Sequence, residues 1–207
     1  MLLIHETLLN LHVVLGALAL ILFWIPILAR KGGPTHVRYG KIYVWLMYIV
    51  AVSGVVMSVM VLVNPGYFKP NASLTVVYQF YSLLLFLSAL TFVSVHHAML
   101  VLKHKTDTSV FRRFGFLCMP AILVGGCIAL LIIAAASSST LILHYVFGGL
   151  GVFIGARMGH FAFKKNPPRK VWLTEHIGAI FGSGIAAVNI PFITQSSHRV
   201  IMPHFGT

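Results

Sequence analysis

Two segments of the sequence repeat one arrangement, LNLHVVLGALALIL at 9–22 and LILHYVFGGLGVFI at 141–154. Each sets a histidine in apolar sequence with a glycine four residues later, His12 with Gly16 and His144 with Gly148. A buried imidazole can ligate a metal or haem iron through an unprotonated ring nitrogen, relay a proton near neutral pH, or hydrogen-bond another buried group. The chain holds 11 histidines against 3 acids and 2 cysteines, so imidazole chemistry outweighs carboxylate and thiol chemistry. No Ser-His-Asp set, phosphate loop, dinucleotide fingerprint or H-x-x-H-H box is visible.

The elements that must position these rings are membrane spans. The 207 residues are 58% hydrophobic and 9% charged, whereas soluble domains carry about 25% charge. Six stretches approach the roughly 20 apolar residues a helix needs to cross the hydrocarbon core: residues 7–29, 40–63, 74–102, 116–136, 140–163 and 174–194. Lipid cannot satisfy backbone polar groups, so the expected fold is all-α, a six-helix transmembrane bundle forming a single domain over 1–207. No cleavable leader is read before the first span, and the tail after 196 is too short for a seventh. Cys118 and Cys127 share one apolar stretch, nine residues and over two turns apart, and read as core thiols.

The net charge of +12 is a topology signal here, with no nucleic-acid partner expected. Arg30, Lys31, Arg38 and Lys41 follow the first span, Lys103, Lys105, Arg112 and Arg113 the third, and Lys164, Lys165, Arg169 and Lys170 the fifth. The second loop has only Lys69, and the fourth, with Ser137, Ser138 and Ser139, has no base. The positive-inside rule predicts loops one, three and five in the cytoplasm and both termini on the outer, periplasmic side.

Under that topology the span histidines fall into two layers. His12 and His144 lie toward the outer face; His96, His97, His160 and His176 lie toward the inner face. His144 and His160 are about 24 Å apart along one helix and about 160° apart around it, so one metal cannot join them. Two histidine layers predict a b-type haem protein carrying electrons across the bilayer. His12 and His144 are the expected outer ligands, and His96 with His160 the inner ones, with His97 and His176 as substitutes. Adjacent His96 and His97 point about 100° apart and cannot both face one cofactor. Gly148, Gly151 and Gly155 line one stripe with His144; Gly16 and Ala19 begin the same pattern below His12. Such stripes admit either a porphyrin edge or a neighbouring helix. Arg38, Lys41 and Arg157 could pair with haem propionates or anchor to headgroups.

The alternative is a His-lined transition-metal or proton-coupled transporter, with zinc or copper at His12, His144, His96 or His160. Glu175-His176 beside His36 offers another small metal site, as do His198, Met202 and His204. The expected partners are lipid and, for the haem reading, quinone or a redox protein; a membrane oxidoreductase activity would then follow.

The stretch His36-Val37-Arg38-Tyr39-Gly40-Lys41-Ile42-Tyr43, taken with His12-x-x-x-Gly16, resembles an uncharacterised family of bacterial polytopic membrane proteins. In that family an early first-helix histidine precedes an H-x-R-x-G-x-x-Y segment opening the second helix. The resemblance covers about the first 60 residues and implies a bacterial inner-membrane location without implying an activity. At the membrane edge His36 and Arg38 could face an anionic group of a cofactor or of a lipid, which makes both candidate ligand contacts. The two histidine layers are also similar in architecture to cytochrome b561-type proteins, which implies that one helix pair supplies each haem.

Overall fold

The computed structural model describes residues 1–137, 141–164 and 170–185. The described residues form helices and loops with no strand: α1 (Leu2–Leu28), α2 (Pro34–Val63), the short α3 (Pro65–Phe68), α4 (Leu74–Lys103), α5 (Phe114–Ala135) and α6 (Ile142–Phe163). Residues 171–185 form a further helix, α7. Five helices, α1, α2, α4, α5 and α6, are long and apolar enough to cross a membrane. The sixth expected span, 174–194, falls partly outside the described residues, as do His198, Met202 and His204.

Helix starts differ most from expectation. α1 begins at Leu2, so His5 and Glu6 lie inside it; two polar residues do not stop a helix whose backbone bonds are intact. α2 begins at Pro34, and His36 and Arg38 sit in its first turns rather than before it. Pro34 occupies the first helical position, where a missing N–H costs nothing. Gly32, at φ +76°, makes the left-handed turn before it. Between α4 and α5, a 3-10 turn at Thr108–Arg112 is capped by Asp107. The Asp107 carboxylate accepts from the Ser109 hydroxyl and from its N–H at 2.9 Å; these bonds hold its pKa below the usual carboxylate value.

α4 is the central element, and its two faces meet different neighbours. Leu83, Phe86, Leu90 and Val93 pack with Leu123 and Cys127 of α5 and with Phe147 and Met158 of α6. Val95, on the other face, packs with Ala19 and Phe23 of α1 and Tyr43, Val44 and Met47 of α2. These stripes are about 180° apart at 100° per residue. Phe86 acts as a wedge. A Cβ on Gly126 would come within 2.8 Å of its ring, and one on Gly151 within 2.4 Å. At the end of the bundle holding the 3-10 turn, Phe111, Val101, Phe161 and Ala162 form a smaller apolar cluster.

Candidate functional site

His12 and His144 are both buried, and each is held by a different group. His12 Nδ1 lies 2.8 Å from Ser53 Oγ. The Ser53 hydroxyl donates its one proton to the Val50 carbonyl at 3.0 Å, so the ring must donate to Ser53, which fixes the Nδ1–H tautomer. Gly54 makes the room: a Cβ there would meet Ser88 Oγ at 2.3 Å and His12 Cε1 at 3.3 Å. His144 instead donates Nε2–H to the Gln79 backbone carbonyl at 3.0 Å. Ser88, beside His12, and Gln79, bound to His144, are nine residues apart on α4, about 180° around it and about 13 Å along it. The two rings therefore flank α4 on opposite sides.

The remaining expected ligands are also dispersed. His96 shares a 3.1 Å hydrogen bond with the Tyr48 hydroxyl and stacks on Phe92 at 5.9 Å, on the α2 side of α4. His160 and Arg38 are exposed. The glycine stripe of α6 is filled by protein: Gly148 meets Cys127 Sγ and Leu131, Gly151 meets Phe86, and Gly155 meets Val124 and the Pro120 carbonyl. Among the described residues nothing lies within 4 Å of the Gly16 Cβ position. A bis-histidine haem would need two free ring nitrogens facing one iron, and His12 and His144, on opposite sides of α4, do not face each other.

His36 and His176 are neighbours. The Tyr43 hydroxyl lies 2.9 Å from Ser183 Oγ, and α2 and α7 run in the same direction. Seven residues earlier on each, two turns down the same stripe, stand His36 and His176; the two rings are close enough to interact electrostatically. His36 donates Nδ1–H to the Pro26 carbonyl at 2.9 Å, and His176 donates to the Ala98 carbonyl at 3.1 Å. Both Nε2 atoms keep a lone pair. Among the described residues no group of three or more His, Cys, Asp or Glu side chains gathers as a metal site.

The unmet polar groups lie on the α6–α7 side of α4. His97 is 3% exposed and Ser94 0%, yet among the described residues His97 Nε2 and Ser94 Oγ have no hydrogen-bond partner. Ser82 and Ser88, on the same helix, return their hydroxyls to carbonyls within it; Ser94 does not. Each orphan of this kind costs about 1–3 kcal/mol. Phe111 and Phe161 meet the His97 ring edge-on at 5.6 and 5.9 Å, which fixes its position without satisfying it. Both residues line a cavity of about 130 Å³ with Arg157, Glu175, Gly178 and Gly182.

Beside them Arg157 Nη2 contacts Glu175 Oε1 at 3.0 Å, and the guanidinium lies over the Phe153 ring at 5.9 Å. A Cβ on Gly178 would meet Arg157 Nη1 at 2.9 Å, so this glycine lets the guanidinium lie close against α7. The arrangement places a cation, a carboxylate, an imidazole and a hydroxyl along one small space. Sequence reasoning named His97 as a substitute ligand, Arg157 as a propionate partner and Glu175 as an edge acid, and it missed Ser94. The available signal was the pairing of a span arginine with an acid, since intramembrane charges seek partners.

No protein-family model, curated protein or solved structure matches this chain.

Proposed function

We propose that this protein is a proton-coupled multi-pass membrane transporter whose ligand site is the cavity beside His97. The observation that carries this reading is the pair of unpartnered buried atoms, His97 Nε2 and Ser94 Oγ, beside an Arg–Glu pair in an otherwise apolar bundle. Buried polar groups are almost always satisfied. The two residues border one cavity with their unpartnered atoms buried in its wall, and a small movement of that wall would let a polar occupant, water or solute, complete them. The volume of about 130 Å³ suits a small solute, well below the roughly 300–1,000 Å³ of pockets for drug-sized molecules.

The chain crosses the bacterial inner membrane six times in this reading, with α7 opening the last span and both termini outside. His97 is six residues from the end of α4 at Lys103, about 9 Å. The basic loops at that end support a site in the cytoplasmic half.

The test is access. In a variant with Cys118 and Cys127 changed to alanine, Ser94→Cys should react with a small water-soluble thiol reagent. Reaction should be faster from the cytoplasmic face of membrane vesicles, and His97→Leu should slow it. A Ser94→Cys thiol that stays unmodified from both faces would sink the reading.

A transition-metal site is the second reading, favoured by His36 and His176, whose Nδ1–H bonds to backbone carbonyls leave Nε2 free, as in oriented metal ligands. Two observations rank it second. Only two side chains converge, and the Lys31 ammonium sits on the same Pro26 carbonyl at 3.1 Å, opposing a divalent cation. Zinc or copper binding lost on His176→Ala would raise it.

A further inference from the structure

We infer that the lipid-facing seam between α2 and α4 binds an anionic phospholipid of the cytoplasmic leaflet. Its phosphate is held between Lys41 and Lys103, and its ester region and first chain carbons lie on Trp45, Tyr48, Phe92 and His96. The leaflet follows from the orientation proposed above. The site itself is separate from the His97 cavity, on a different flank of α4.

Two contacts fix how α2 and α4 run past each other. Gly54 abuts the Ser88 side chain, and the Tyr48 hydroxyl lies 3.1 Å from His96 Nδ1. Moving back along α2 thus means moving forward along α4, so the helices are antiparallel. Lys41 is seven residues before Tyr48, and Lys103 is seven residues after His96. Seven residues are two turns, so each lysine stays on the stripe of its helix that carries the Tyr48–His96 pair. Both lysines therefore stand at the same end of the seam, about 10 Å beyond that pair.

The lysines lack a counter-charge. Both are exposed, and among the described residues neither makes an ion pair. The chain has three acids. Glu175 is engaged by Arg157, and Asp107 by Ser109. Glu6 follows His5, whose ring lies against Phe68 just beyond the far end of α2. Packed helix axes are about 8–10 Å apart, so two long lysine side chains flanking one seam can both reach a single phosphate. Basic pockets between spans on the cytoplasmic side recognise anionic headgroups in this way.

The rest of the seam suits a lipid and offers a free phosphate ion nothing. Trp45 is 69% exposed and meets Tyr48 edge-on at 6.1 Å. Phe92 is exposed and stacks on His96. The Tyr48–His96 pair also carries a donor to spare. A neutral imidazole and a phenol bring one N–H and one O–H, and their mutual bond uses one of the two. Whichever tautomer is present, the other hydrogen is left over, on Nε2 or on the phenol oxygen. Both residues are only half-buried, and a donor unmet at hydrocarbon depth is costly. The ester carbonyls of a phospholipid lie between its phosphate and its chains and accept such a hydrogen.

The experiment is quenching of Trp45 by brominated lipid. With Trp24→Phe and Trp172→Phe, Trp45 is the one tryptophan left. Brominated phosphatidylglycerol should associate around Trp45 about fivefold more strongly than brominated phosphatidylcholine. Lys41→Gln with Lys103→Gln should bring the two lipids within twofold of each other. Arg112→Gln with Arg113→Gln, which removes two charges elsewhere on the same side, should leave the preference intact. Native mass spectrometry of the full chain with all its tryptophans, and of its Lys41→Gln, Lys103→Gln variant, makes the same comparison as phosphatidylglycerol adducts kept or lost. Equal quenching by the two lipids, a preference that survives loss of both lysines, or an equal fall in the arginine control overturns the inference. A Trp45 shielded from both lipids in a protein that runs as a dimer overturns it too, because a second copy then covers the seam.

Discussion

His12 and His144 occupy matching places in two look-alike segments, yet the structure gives them opposite tautomers. His12 donates from Nδ1 to a serine side chain of α2, and His144 donates from Nε2 to a backbone carbonyl of α4. Their glycines differ as well. Gly16 faces open space, whereas Gly148 and Gly151 are packed against Cys127, Leu131 and Phe86. A shared motif therefore encodes a buried ring and a thin helix surface, while the neighbouring helices decide what each is used for. In α6 the glycines admit protein, and in α1 no described residue packs against the same position.

The largest expected effect separates the two segments at their glycines. Gly151→Val places branched carbon where the Phe86 ring sits, 2.4 Å from the Cβ position. Overpacking of this kind costs about 3 kcal/mol. Gly16→Ala meets nothing and should change stability by less than about 0.5 kcal/mol, as surface substitutions do. Thermal unfolding of the purified variants in detergent measures both. Equal losses at the two positions would mean that the segments are used alike.

That asymmetry marks how far the sequence was legible. Hydropathy located α4 at 74–102 against the observed Leu74–Lys103, and α6 at 140–163 against Ile142–Phe163, because lipid-length apolar runs admit little else. It missed the start of α2, since Pro34 and the polar residues after it read as loop while proline at the first helical position is compatible with a helix. Histidine depth was readable from rise per residue, but direction was not. His12 and His144 face opposite sides of α4 because helix order around the bundle, which no single-helix periodicity carries, places α1 and α6 on different flanks. Ser94 was invisible for a related reason: a serine inside a span usually returns its proton to its own helix, and only tertiary placement reveals one that does not.

A second, smaller effect tests the two tautomers. Ser53→Ala removes the side-chain acceptor of the His12 ring and leaves the Val50 carbonyl as its nearby acceptor, a loss of about 1 kcal/mol. Gln79→Ala leaves the backbone carbonyl that holds His144 in place and removes only the 2.8 Å side-chain bond to Ser137, a loss of at most about 1 kcal/mol. Histidine NMR should show a changed ring environment at His12 in the first variant and an unchanged one at His144 in the second. A disturbed His144 in Gln79→Ala would show that its anchor is not the main chain.

The smallest effect carries the opposite sign and bears on the contrast between anchored and orphaned rings. His97 Nε2 meets no partner, so His97→Leu removes an unmet buried polar atom and keeps apolar volume among Phe111 and Phe161. Replacing a buried polar group by a similarly shaped apolar one is neutral or stabilising when no bond is lost. The expected change is therefore between zero and a gain of about 1 kcal/mol, within the usual tolerance for a volume-conserving swap. His144→Leu, by contrast, abandons a made bond to the Gln79 carbonyl and should cost about 1 kcal/mol. A protein that gains stability from losing His97 is one in which that ring is retained for something other than the fold. A clear loss of stability in His97→Leu, matching that of His144→Leu, would instead make the ring a packing element and remove the physical basis for a ligand there.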